Sequence, residues 1–160
     1  MDSAEPASLA QLQKLLGAGY NFYRLTDRQR ADDLFVRARA ADAIGRVAAR
    51  VTETMAAARR AIPPATRENP FPDPLLMAQI TQLRTLQGRL CALETRLRGP
   101  AALPDRDFSR LRASPAHCER LVHLDAALLE AAEAPDLETN LAQLEAILDA
   151  RAALATWNPA

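Results

Sequence analysis

Residues 73–100 read DPLLMAQITQLRTLQGRLCALETRLRGP, and the spacing of leucines in this stretch decides the fold. Leu76, Leu83, Leu90 and Leu97 recur every seven residues, with Leu86 and Leu93 at the intermediate spacing. Apolar positions repeating in this way share one helical face and pack on another helix as a coiled-coil-like seam, although Gln79 takes one intermediate place. Asp73 offers an N-cap side chain, Pro74 suits the first helical position, and Gly99-Pro100 ends the run. The stretch therefore predicts a helix over 74–98.

Upstream, residues 63–74 hold five prolines, which remove backbone donors and restrict the residues before them, so this is a connection. Thr26-Asp27-Arg28-Gln29 has the form of a capping box and opens the longest predicted helix, 27–62. Its apolar stripe is Ile44, Val47, Ala48, Val51, Met55, Ala58 and Ile62, while Arg28, Arg39, Arg46, Arg50 and Arg60 take the opposite sector. Leu34-Phe35-Val36 points three ways, which predicts that this helix starts out covered on more than one side. A short helix over 4–16 precedes it, ended by Gly17 and Gly19, and Tyr20, Phe22 and Tyr23 are expected to pack it onto the rest.

Downstream, residues 100–114 read as a linker. Ser114-Pro115 starts a helix over 115–134, Pro135 breaks it, and Asp136 restarts the chain for a last helix over 136–156. That helix carries Leu137, Leu141, Leu144, Ile147, Leu148 and Leu154 on one face. The segments LETRL at 93–97 and LETNL at 137–141 match, but their flanks do not, so no repeat architecture follows.

Composition agrees with this reading. The chain has 34 Ala and 24 Leu against 4 Ile and 4 Val, and strands draw on the β-branched residues it lacks. The expectation is one all-α domain over 1–160. It is an elongated antiparallel bundle of four to five helices, built on a long αα-hairpin of 27–62 and 74–98 and completed by the pair 115–134 and 136–156. The 19 Arg against a single Lys read first as the codon bias of a GC-rich genome. No apolar run approaches the ~20 residues that span a bilayer. The acidic start Met1-Asp2-Ser3-Ala4-Glu5-Pro6 lacks the order of a signal peptide, and two cysteines make no disulfide framework. These features predict a cytoplasmic chain without membrane insertion.

Charge is unevenly spread beneath a formal net of zero. Residues 24–60 hold nine Arg and five acids, a net of +4, while residues 114–160 hold two Arg and eight acids, a net of −6. Either the halves compensate within one bundle, or a face stays open to a partner of opposite charge. Nucleic acid is a poor partner, because the acidic third opposes the counterion-release contribution to binding.

Few residues suggest chemistry. His117, Cys118 and His123 invite a metal reading, but on one helix the two imidazoles lie about 240° apart and cannot share an ion. Cys118 sits near a helix start, where the dipole lowers a thiol pKa, yet it shares a side with Leu121, Val122 and Leu129 and reads as core. Asp125 lies among Leu121, Leu124, Leu128 and Leu129, where a lone carboxylate is costly, so it needs a cation; Arg37, on the apolar side of the long helix, is the predicted one. Asn69-Pro70-Phe71 resembles the Asn-Pro-Phe tripeptide read by a class of eukaryotic trafficking domains; Phe71 is expected to tuck the loop onto the bundle. Seven aromatics are few for a ligand pocket, and no cofactor motif is present.

The function expected from this pattern is a non-enzymatic protein–protein interaction module: an adaptor, assembly factor, chaperone or structural subunit that binds another protein or itself through helical faces. The expected contact residues are Leu76, Leu83, Leu90 and Leu97 on the seam and Arg39, Arg46 and Arg50 on the basic face. The alternative is a small redox or thiol-dependent enzyme using Cys118 with His117 or Asp125.

Overall fold

The computed structural model describes residues 29–68, 70–99 and 115–155. The predicted helix over 4–16, the aromatic patch, the capping box at 26–29, the linker over 100–114 and the segment beyond Ala155 lie outside the described residues, wholly or in part. Among the described residues the chain has no strand and holds four helices packed as a bundle: α1 (Gln29–Arg60), α2 (Pro74–Arg98), α3 (Pro115–Glu133) and α4 (Leu141–Ala155). None of these helices is long and apolar enough to cross a membrane.

The local signals explain the element ends. The Asp73 carboxylate accepts from the Leu75 amide at 2.9 Å and the Asp73 carbonyl from the Met77 amide at 3.1 Å, so donors of the first turn are satisfied. Asp73→Ala is expected to cost about 1 kcal/mol, read as a lower urea midpoint with an unchanged slope. At the other end the Gly99 amide donates to the Thr95 carbonyl at 2.8 Å, and Gly99 turns extended (φ −62°, ψ 167°), as a residue before proline must.

The last helix starts later than its sequence predicts. Pro135 to Thr139 form successive tight turns, with the Leu137 amide on the Ala134 carbonyl and the Thr139 amide on the Asp136 carbonyl. The Thr139 hydroxyl also donates to the Asp136 carbonyl, at 2.8 Å. This local bonding competes with helix propagation, so α4 begins at Leu141 behind Asn140. The turns still bury Leu137 in the core.

The α1–α2 interface is the most extensive in the bundle, α3 packs on both α1 and α4, and α4 touches α2 lightly. Gln87 donates to the Thr52 hydroxyl at 2.8 Å and Arg98 to Asp42 at 2.7 Å, so numbers rise along α1 as they fall along α2. The core gathers Val36, Ala40, Ile44 and Val47 of α1, Leu90, Leu93 and Leu97 of α2, Leu121, Leu128 and Leu129 of α3, and Leu141 and Leu144 of α4. Each fully buried leucine contributes roughly 1.5–3 kcal/mol. Burial is uneven along the two long helices: after Ala48 on α1 and before Leu90 on α2, only Val51, Met55 and Ile80 are buried.

Candidate functional site

Three charged residues are almost sealed in the bundle: Asp33 at 1% exposure, Arg37 at 4% and Asp125 at 0%. The cation that meets Asp125 is Arg151 of α4, whose Nε lies 2.6 Å from Asp125 Oδ1 and whose Nη2 lies 2.9 Å from Asp33 Oδ1. Arg37 enters the same cluster through Asp33 at 3.5 Å and donates to the Gly99 carbonyl at 2.6 Å. The predicted Arg37–Asp125 pair is thus corrected: Arg37 lies one helical turn from Asp33 on its own helix, and Arg151 bridges the two carboxylates. The signal was present in the sequence. Arg151 follows Leu144 by seven residues and Leu148 by three, which puts it on the apolar face of α4.

The cluster balances two carboxylates against two guanidiniums and joins α1, the C-terminal end of α2, α3 and α4. Asp125 is closed to solvent and held by Arg151. The side chains of His117 and Cys118 lie outside the described residues, and His123 is exposed on α3. Cys91 is an exposed free thiol on α2. Among the described residues no three of His, Cys, Asp and Glu gather to hold a metal ion.

Much of the charge split is compensated inside the bundle, and the compensation runs largely through α2. Arg89 meets Glu145 at 3.0 Å and Arg96 meets Asp149 at 2.7 Å, while Arg39 of α1 meets Glu133 of α3 at 2.8 Å. Arg98 pairs with Asp42 and Glu94, and those hydrogen bonds, Asp42 first, raise its pKa above the usual arginine value. Exposed pairs of this kind are worth about 0–1 kcal/mol each, so they fix register more than stability.

Among the described residues no carboxylate reaches Arg46, Arg50, Arg59, Arg60 or Arg84, all of them exposed; Arg59 and Arg60 stand in the last turn of α1, beside the 61–73 connection. Residues 46–88 hold six Arg and three acids, a net of +3.

The expected contact residues separate along the same line. Leu90 and Leu97 are core, at 0% and 2% exposure; Leu76 and Leu83 are half-buried. Arg39 is bound to Glu133, whereas Arg46 and Arg50 are exposed. Arg39 and Arg46 line one open cleft of ≈ 380 Å³ with Phe35, Ala38, Asp42 and Glu133.

Large apolar side chains also reach the surface where the sequence did not mark them. Phe71 is 79% exposed and does not tuck the loop down, Leu75 is 80% exposed and Met77 41%. Leu34 and Phe35 are about half exposed beside the buried Asp33, Val36 and Arg37, so two of these side chains at the start of α1 face outward. One signal for α2 was available. Leu75-Leu76-Met77 is three consecutive apolar residues, which span about 200° of helix and cannot all face one partner. Near them the connection forms an open bowl of ≈ 640 Å³ walled by Ile62, Pro63, Pro64, Phe71, Pro72 and Pro74.

Compared with protein families, curated proteins and solved structures, the chain matches none.

Proposed function

We propose that this chain is a non-enzymatic interaction module, an adaptor, assembly factor, chaperone or structural subunit working in the cytoplasm, that binds another protein through one end of a long helical hairpin. In this reading α1 and α2 form an antiparallel, coiled-coil-like hairpin, and α3 and α4 cover only its half around Val36–Ala48 and Leu90–Leu97. The other half extends past the body as the binding end. Helix lengths support this: 32 and 25 residues for α1 and α2 against 19 and 15 for α3 and α4.

The observation that carries the reading is the exposure of Phe71, Leu75 and Met77 around the start of α2, with Arg59 and Arg60, which have no described carboxylate, in the last turn of α1. An apolar group rimmed by charge marks an interaction site more often than a solvated face. Of the expected seam, Leu76 and Leu83 border this surface, while Leu90 and Leu97 support it from the core.

The test is Leu75→Glu combined with Met77→Glu. Because both side chains are exposed, thermal stability should move by no more than about 0.5 kcal/mol, while co-purifying proteins recovered by the native chain should be lost. Unchanged partners with the fold intact would remove this assignment.

A further inference from the structure

Two charged groups on one side of the bundle lack described partners and have opposite signs. Arg46 and Arg50 lie one turn apart on the outer stripe of α1 that also carries Phe35 and Arg39. Asp136 and Glu138 are exposed in the turns that join α3 to α4, and no described cation meets their carboxylates. The two groups are tied to one place by the Arg39–Glu133 pair: Glu133 stands three residues before Asp136, and Arg39 stands two turns before Arg46. Glu133, Arg39, Arg46 and the 46%-exposed Phe35 all line the same open cleft.

We propose that this face pairs with a second copy of the chain about a twofold axis, Arg46 and Arg50 of each copy meeting Asp136 and Glu138 of the other. The inference rests on the interaction-module reading and commits one of its surfaces to self-association. A patch that carries both signs side by side is complementary to itself after a half-turn, so each copy gives and receives the same contact and the assembly closes at two. A chain of formal net charge zero meets no overall repulsion from its twin. The ion pairs set orientation and encounter rate, and Phe35 with the cleft walls supplies apolar area that ion pairs alone lack.

Sedimentation equilibrium of the full chain tests this with two complementary variants, R46E with R50E and D136R with E138R. The native chain is expected to be a dimer at low salt. Its dimer dissociation constant should rise tenfold or more near 0.5 M salt, where the screening length shrinks to roughly 4 Å. Each variant alone should be monomeric, since like charges then face each other twice, and an equimolar mixture should dimerise again. The milder R46Q with R50Q gives the same loss without like-charge repulsion, and circular dichroism verifies that every variant keeps its helices.

A native monomer at low salt, open-ended polymers, dimers in either variant alone or a mixture that stays monomeric would each overturn the proposal. None of these results touches the Leu75 and Met77 experiment, so the failure of one reading is distinguishable from the failure of the other.

Discussion

Arg151→Leu is expected to lower the stability of the fold by about 3–5 kcal/mol, the cost of stripping the partner from buried charge. Arg151 is the residue that bridges Asp125 and Asp33, at 2.6 and 2.9 Å, and those side chains are 0% and 2% exposed. With it gone, Arg37 remains for Asp33 at 3.5 Å, and Asp125 loses its strongest described counter-charge. For a chain of this size the loss corresponds to a melting temperature lower by roughly 10 °C. Urea unfolding and thermal circular dichroism read both quantities. A loss below about 1 kcal/mol, the range of exposed pairs, would mean that the cluster is open to water. Apolar residues of similar volume at Asp33, Arg37, Asp125 and Arg151 together should recover much of the loss, because buried ion clusters hold little net stability over a packed core.

The second large effect separates the two halves of the leucine seam. Leu90→Ala removes a fully buried side chain from the core shared by α1, α2 and the C-terminal helices, and it should cost about 2–5 kcal/mol. Leu76→Ala, at a half-buried position of the same seam, should cost less, about 1 kcal/mol. Chemical denaturation of the two variants beside the native chain checks the contrast. Equal costs would mean that the α2 seam is covered along its whole length.

That contrast also marks where sequence reasoning stopped. The period of Leu76–Leu97 and the Asp73-Pro74 cap defined a helix and its ends, because both are local properties of the chain. The burial of Asp125 followed from its leucine neighbours. Its partner did not, because Arg37 and Arg151 both sit on apolar faces, and only the packing of α4 decides which guanidinium arrives. The seam reads as uniform from end to end, since a leucine repeat records that something packs there without recording how far the neighbour extends. In the proposed reading α3 and α4, shorter than α1 and α2, cover only part of that repeat, which is core at Leu90 and half-buried at Leu76. The half-turn geometry of Pro135–Asn140 was hidden for another reason: Thr139 and Asp136 bond each other locally, a competition that periodicity does not register.

Compensation of the charge split was legible as one of two alternatives, and the ion pairs show it in part. The acids of α3 and α4 are met by Arg39, Arg89 and Arg96, while Arg46 and Arg50 remain without a described carboxylate. In the proposed reading, partial coverage by α3 and α4 accounts for the buried Leu90 and the half-buried Leu76 alike.

Native-state hydrogen exchange, resolved by peptide in the full chain at high salt, tests that partial coverage most directly. Amides of residues 36–48 and 90–97 should exchange only through global unfolding, and those of residues 53–60 and 75–79 through local opening, at least a hundredfold faster. Such a gap corresponds to about 2.7 kcal/mol between local and global opening. Uniform slow exchange along both long helices would contradict the account, because it would require a covered hairpin with no open end.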